Sequence, residues 1–388
     1  MIFEELSSRG LLRQFTHENK IKELLNHSSI KFYIGFDPTA DSLHVGHLLQ
    51  LITAQRLALA GHQPILLLGE STASVGDPTG KTDMRKMLDS DSIVSNADKF
   101  KSHMKKIVPT SLVVSNGNFF DINYLKFIRE VGVHFSVNAM LRAECFKSRM
   151  ENGLSFLEFN YMIMQSYDFF KLNKEYNCVL QVGGDDQWSN ILGGLDLIKR
   201  MSGNEAYGLT ISLLLTSDGK KMGKTESGAV WLDPLKTSPF DFFQFWRNVS
   251  DAEVISCLKM LTFITLEEID SMDMSHATGI NEAKKKLAFE VTKIVHGEEV
   301  AKEVLTQASN LFEKKMDDAM VSVDVDTGCS VIEAMIKAGF AKSKTDARNL
   351  ISGKGVFIND ELCDLEFKIN KECVLRKGKK HFCKLKIL

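Results

Sequence analysis

The sequence predicts an α/β protein: a doubly wound parallel-sheet domain over residues 1–226, an α-helical domain at 227–318, a linker at 319–327, and a small α+β domain at 328–388. Three observations carry this reading. A strand, a helix and a second strand follow one another near the N-terminus, the pattern of a right-handed βαβ unit. Helix-start signals recur from Ser238 onward. The end of the chain combines short helical stretches with basic residues that alternate with apolar ones.

Taken in order, FYIGF (32–36) reads as a buried strand. The turn-rich DPTADS leads into a helix from Leu43 to Ala60, with Leu48, Leu49, Ile52, Leu57 and Leu59 at helical spacing, Asp41 or Ser42 as its cap and Gly61 at its end. Ile65–Leu68 form the next strand. Ligands of such a unit sit at the carboxyl ends of the strands, where the loops bearing His44, His47 and GDPTG fall. Cys178–Val182 and Leu209–Leu215 are further strand candidates, one before GGDDQW and the other before SDGKKMGKT. Ser250 with Glu253 and Thr265 with Glu268 have capping-box spacing, so 239–315 read as several helices. MDDAMVSVDVDTG (316–328) is acidic and aperiodic, which marks the linker. VIEAMIKAGFAKSKTDARNLISGKGVFIND then suggests two short helices, a Gly-containing turn and a strand.

Composition supports a multidomain globular protein. The 388 residues are 44% hydrophobic and 25% charged, with 6 Pro and a net charge of −2, which excludes disordered and fibrous classes. Seven Cys, at 145, 178, 257, 329, 363, 373 and 383, include no Cys-x-x-Cys pair, so neither a disulfide framework nor a zinc cage is expected. They read as reduced thiols of a cytoplasmic protein, with Cys363, Cys373 and Cys383 packing or facing solvent. MIFEELSSRGLLRQF lacks the basic start and apolar stretch of a signal peptide. Apolar runs fall short of the ~20 residues that span a bilayer, so no membrane role is expected.

Four motifs carry chemistry. His44-Val45-Gly46-His47 opens the predicted helix, where unpaired N–H groups and the positive dipole end suit an anion. Its two imidazoles share a helical face, and both can donate to phosphate oxygens as charge builds up; Gly46 would let a flat ring approach the backbone. A surface pair or two ligands of a metal site are the alternatives, and the strand-to-helix setting after FDPTADSL favours the anion. Lys220-Lys221-Met222-Gly223-Lys224-Thr225 is either a loop that closes over a triphosphate or an ordinary solvated one. Tyr161, Gln165 and Asp168 line one face of FNYMIMQSYDFF; a carboxylate buried there must be paired, and a solvent-facing stripe is the alternative. In GGDDQW (183–188) two glycines permit close backbone approach while Asp186 and Gln187 offer acceptors and donors. A plain Asp-capped turn would look the same.

HVGH with KMGKT about 180 residues later resembles the HIGH and KMSKS signatures of class I aminoacyl-tRNA synthetases. YIGFDPTADSLHVGH, GDPTGK, FNYMIMQSYDFF, GGDDQW and KMGKTESG, in this order, are similar to the bacterial-type tyrosyl-tRNA synthetases over nearly the whole chain. The resemblance implies a Rossmann-like catalytic domain, a helical domain on the anticodon side and a C-terminal RNA-binding domain. It implies activation of L-tyrosine with ATP, accompanied by Mg2+, and transfer to tRNA(Tyr) by a cytoplasmic homodimer.

By the same resemblance, Tyr33 and Asp168 would bind the phenol hydroxyl, and Asp77, Tyr161 and Gln165 the ammonium group. Asp37, Gln181 and Gln187 would position the amino acid and ribose. Thr39, His44, Gly46 and His47 would contact ATP, and Lys221, Lys224 and Thr225 would stabilise the departing pyrophosphate together with Lys81 and Arg85. No protein ligand for a metal is implied. Asp185 stands where relatives commonly carry Ser or Ala. KMGKT replaces the two serines of the name-giving motif with Gly223 and Thr225, and Gly223 is expected only to add flexibility. A tryptophanyl-tRNA synthetase and an inactive synthetase-derived RNA-binding protein are the alternatives; Tyr33 with Asp168 opposes the first, intact HVGH and KMGKT the second.

The net charge hides an uneven distribution. Residues 1–340 carry 36 bases and 44 acids, whereas 341–388 carry 12 bases and 6 acids. Arg376, Lys377, Lys379 and Lys380 are the candidate RNA contacts, since a basic surface supplies sequence-independent phosphate affinity.

Overall fold

The computed structural model describes residues 1–79, 88–150, 153–225, 228–319, 321–359, 361–378 and 381–388; Lys81, Arg85, Lys379 and Lys380 lie outside them. The chain divides into two compact units, Met1–Val304 and Leu305–Leu388.

The first unit is built on a six-stranded sheet of β1 (Leu12–Phe15), β2 (Lys31–Phe36), β3 (Gln63–Leu68), β4 (Leu112–Ser115), β5 (Cys178–Gly184) and β6 (Tyr207–Ile211), in the order β1-β6-β5-β2-β3-β4. All neighbours are parallel except β1, which runs antiparallel to β6 at the edge. The chain steps outward from β2 to β4, then returns to lay β5 on the other side of β2. The topological switch point therefore lies between β2 and β5, and ligand sites of doubly wound sheets form there.

Helix α1 (Val45–Leu59) joins β2 to β3, and Leu48, Leu49, Ile52 and Leu57 are buried as their spacing predicts, whereas Leu59 is exposed in the last turn. Its cap is His44 rather than Asp41 or Ser42. Those two side chains are engaged elsewhere: Asp41 pairs with Lys236 and Lys99, and the Ser42 hydroxyl donates to Leu43 O and accepts from Asp233 N–H. Strand β6 stops at Ile211, short of the expected Leu215, because Leu214 and Leu215 turn to bond with Met222 and Lys221. Helices α2 (Ser90–Ile107), α3 (Tyr161–Tyr176) and α4 (Trp188–Ser202) belong to the same unit.

The helical stretch follows as α5 (Pro239–Arg247), capped by Ser238, α6 (Val254–Leu261), α7 (Ala277–His296) and α8 (Glu298–Ala319). As far as Val304 it belongs to the first unit instead of standing apart from residue 227. Two buried arginines show why. Arg9 donates to Glu5, Lys259 O and Ile264 O, and Arg56 to Glu5 and Thr262 O. Lys259 O and Thr262 O lie at the C-terminal end of α6, where unpaired C=O groups and the negative dipole end favour a cation, and Ile264 O follows just beyond it. Burial pulls the Arg56 guanidinium down to about 10, still charged at neutral pH.

The second unit has a five-stranded sheet of β7 (Val321–Val325), β8 (Val356–Ile358), β9 (Glu361–Leu362), β10 (Cys373–Lys377) and β11 (His381–Ile387), ordered β9-β8-β10-β11-β7, with helices α9 (Val331–Lys337) and α10 (Lys344–Ser352). The expected linker at 319–327 thus contains a strand, which pairs in parallel with β11. VSVDV has the period-two alternation of a half-buried strand, masked in the sequence by its acidic surroundings. Cys363, Cys373 and Cys383 all lie in this unit's core with Val356, Leu375 and Leu385. Among the described residues, no helix is long and apolar enough to cross a membrane.

Candidate functional site

The switch point gathers polar side chains in an otherwise apolar setting. Tyr33 on β2 lies in register with Gln181 on β5, and its buried ring packs against Phe169 of α3 at 5.1 Å. One residue earlier on α3, Asp168 is buried, and its carboxylate accepts from Asn116 Nδ2 at 3.2 and 3.0 Å. Burial pushes the Asp168 carboxyl well above the ordinary range, while the bonds from Asn116 oppose that shift. Burial also raises the Tyr33 phenol, and the charge of Asp168 adds to it. Tyr33 OH, Gln165 Oε1 and Gln181 Oε1 are buried without a hydrogen-bond partner. Buried polar atoms are nearly always paired, so three orphans converging from β2, α3 and β5 mark a place for a polar ligand.

Around these residues the carboxylates are already engaged. Asp37 accepts from the hydroxyls of Tyr161 and Thr72, each at 2.7 Å. Asp77 accepts from Gln187 Nε2 at 2.7 Å and from Thr79 N–H at 2.9 Å. Hydrogen bonds link the two expected groups, Tyr161 to Asp37 and Gln187 to Asp77. Asn116 is a residue the motifs did not flag. Its Oδ1 accepts from Ser71 N–H at 2.8 Å, which fixes the amide so that Nδ2 faces Asp168. It follows β4 directly, at a strand's carboxyl end, and that position was the available signal.

The HVGH turn makes a reciprocal cap from two imidazoles. Gly46 N–H donates to His44 Nδ1 at 3.0 Å and His44 N–H to His47 Nδ1 at 3.2 Å, with the rings stacked 3.9 Å apart. A ring nitrogen that accepts carries no proton, so both rings are neutral and hold their N–H at Nε2. Burial, then the neighbouring His44, keeps His47 well below its ordinary titration range. Gly46 does make room for a flat ring, and the ring is that of His44: a Cβ at Gly46 would stand 2.8 Å from His44 Cε1. Thr39 lies in the turn between β2 and α1, where its N–H donates to Asp37 O.

The KMGKT segment docks on this helix start. Met222 is buried, Val45 N–H donates to Val230 O, and Leu232 N–H to Leu43 O. Gly223 does more than add flexibility: its φ is +83°, and a Cβ there would fall 1.9 Å from Val45 Cγ2. Only glycine fits this approach. Lys224–Thr225 form a short strand paired with Gly228–Ala229. Lys221 pairs with Asp186 at 3.0 Å, which ties the loop to the end of β5.

A family model described as tRNA synthetases class I (W and Y) matches residues 25–313. Over 405 aligned residues the chain is 52% identical to the tyrosine–tRNA ligase of Acetivibrio thermocellus, covering all of this chain and 99% of that one. To the tyrosine–tRNA ligase of Clostridium botulinum strain Loch Maree it is 50% identical, with 98% of each covered. The chain belongs to the class I tyrosine–tRNA ligase family. The solved structure of a C-terminally truncated mitochondrial tyrosyl-tRNA synthetase from Aspergillus nidulans is similar to this synthetase with a TM-score of 0.73 at 30% identity, over 80% of this chain and 94% of that one.

In the second unit of this synthetase, the two described basic candidates make contacts within their own unit. The Arg376 guanidinium stacks 3.8 Å from the Phe357 ring centroid, and Lys377 Nζ donates to Phe340 O at 2.6 Å. Among the described residues, no group of three or more His, Cys, Asp or Glu is placed to hold a metal ion.

Proposed function

We propose that the pocket at the switch point holds L-tyrosine with its phenol between Tyr33 and Asp168 and its ammonium end toward Gln165, Tyr161 and Asp77. The chain is a tyrosine–tRNA ligase, an ATP-using class I synthetase. In the first step the tyrosine carboxylate attacks the α-phosphorus of ATP, forming tyrosyl-adenylate and releasing pyrophosphate. The tyrosyl group then passes to the 3′-terminal adenosine of tRNA(Tyr).

No side chain needs to act as nucleophile or base; catalysis consists of positioning and electrostatic stabilisation. His44 and His47, both neutral with Nε2–H, act as phosphate donors at the helix start, beside Thr39 and Gly46. Lys221, Lys224 and Thr225 serve the departing pyrophosphate, with Lys81 and Arg85. Asp37, Gln181 and Gln187 align the amino acid and ribose. ATP would be taken up as its magnesium complex, and no residue of this chain is assigned to hold the metal. The basic C-terminal unit, through Arg376, Lys377, Lys379 and Lys380, binds tRNA. Seven free thiols suit the reducing cytoplasm.

The observation that carries the reading is the set of orphaned atoms of Tyr33, Gln165 and Gln181 beside Asp168. Tyrosine-dependent ATP–pyrophosphate exchange, run beside the other amino acids, tests it: exchange with tyrosine alone is expected, and exchange with tryptophan alone would refute the pocket assignment. A homodimer is supported by an apolar groove lined by Val133, Phe135, Val137, Met140 and Phe156, of which Val133 and Phe156 are 70% exposed. Sedimentation of Val133→Asp as a monomer, against a dimeric parent, checks it.

A further inference from the structure

The turn Asp185–Gln187, between β5 and α4, sends three consecutive side chains to three different places. Gln187 donates to Asp77, and Asp186 accepts from Lys221. Asp185 points to the other side of the turn, where its Oδ1 accepts from Gln14 Nε2 and Thr210 Oγ1, both at 2.8 Å. The Thr210 hydroxyl in turn accepts from Gln14 N–H at 3.0 Å, closing a ring of hydrogen bonds among β1, β6 and the turn. Thr210 is fully buried, so this ring is shielded from water on one side.

The turn follows directly on the end of β5, where Gly183 and Gly184 pair with Thr210 and Ile211 of β6. A Cβ at Gly184 would stand 2.8 Å from Asp186 Oδ1, and one at Gly183 would stand 3.2 Å from Gln187 Cβ. The bare positions leave room for Asp186 and Gln187 to fold back as they do. Beyond the ladder to β6, a side-chain anchor can fix the turn. A carboxylate that accepts two bonds on one oxygen does so, and a shorter Ser or Ala side chain would not reach both donors.

We propose that Asp185, held by Gln14 and Thr210, is a positioning residue that sets the turn from which Asp186 and Gln187 reach the site. It extends the machinery to the edge strand β1, which carries none of the motif residues. The inference rests on the proposed role of Gln187, so the test reads the turn and the reaction separately.

With the full-length protein, amide hydrogen exchange over 185–190 reports the turn, and tyrosine-dependent ATP–pyrophosphate exchange reports the reaction. Asp185→Ala is expected to speed exchange of those amides about tenfold and to lower kcat/KM for tyrosine about tenfold. Asp185→Asn, whose carboxamide oxygen can accept the same two bonds, is expected to recover both to within about threefold. Thr210→Val should reproduce the loss and add nothing when combined with Asp185→Ala, since the two act through one ring. Unchanged amide exchange and kcat/KM within about twofold in Asp185→Ala, with Gln187→Ala impaired, would overturn the anchor. So would Asp185→Asn as defective as Asp185→Ala, because charge rather than hydrogen bonding would then matter. A normal Gln187→Ala would instead remove the site role while faster amide exchange in Asp185→Ala still upheld the anchor. Should Asp185→Ala fail to fold, Gln14→Leu on the half-buried edge strand carries the same test.

Discussion

Two regions of the first unit bury polar side chains and treat them in opposite ways. Where α1 meets the end of α6, Arg9 and Arg56 commit five N–H donors to Glu5 and three backbone carbonyls, leaving Nε of Arg56 without a partner. At the switch point, Tyr33 OH, Gln165 Oε1 and Gln181 Oε1 are equally shielded and have none. The degree of satisfaction rather than burial separates the two: a polar cluster with nearly all its donors bonded holds elements together, and one with several acceptors open can take a ligand.

The contrast can be broken from either side. Arg56→Met removes a buried charge and the donor to the Thr262 carbonyl, while Arg9 still holds Glu5, so roughly 1–3 kcal/mol of stability should be lost in urea unfolding. The folded fraction should still exchange pyrophosphate normally. His47→Ala should do the reverse, slowing adenylate formation by about 3–4 kcal/mol of barrier while the urea midpoint and tyrosine Kd stay near their parent values. A change confined to tyrosine Kd would refute its phosphate role.

His296 on α7 is an intermediate case, with Nε2 buried and unpartnered and its ring edge-on to Phe242 at 5.0 Å. Burial, then Lys106 and His103, lowers its pKa to about 4 against a weaker opposing pull from Asp233. The unfolded chain, with an ordinary histidine near 6.5, binds more protons in between. Stability is therefore complete above about pH 6.5 and falls as pH drops toward 4. His296→Phe should flatten that acid slope by roughly 2–3 kcal/mol, read from urea midpoints at pH 7 and pH 4. The smallest effect is expected at Tyr33→Phe, which deletes an orphaned hydroxyl. Stability should rise by about 1 kcal/mol or less, while preference for tyrosine over phenylalanine in the exchange assay declines.

Local signals read well from the sequence, and distant ones did not. The β2–α1–β3 unit and the caps at Ser238, Ser250 and Thr265 depend on neighbours within a few residues, and the structure has them. His44 as its own helix cap was missed because Ser42 and Asp41 offered better cap chemistry, and only the loop around 233–236 shows why they are occupied. Gly223 looked like slack because its neighbour, Val45, is far away in sequence. Asn116 and the bonding of Asp185 were hidden for the same reason: their partners lie 25 to 171 residues off. Strand β7 was hidden by its acids, although its alternation was on display.

The order of the strands also governs when the site can exist. Strand β1 pairs with β6 through Leu12 and Ile211, and β2 lies beside β5 through Tyr33 and Gln181. During synthesis β2 must wait until β5, which ends at Gly184, has left the ribosome before both of its sides are covered, and β1 must wait for its partner β6, which ends at Ile211. Closing loops of that length is slow, and an unpaired strand edge invites association with other chains in the meantime. The site forms only after more than half of the polypeptide has emerged, so an interrupted chain has no partial catalyst, only an exposed edge.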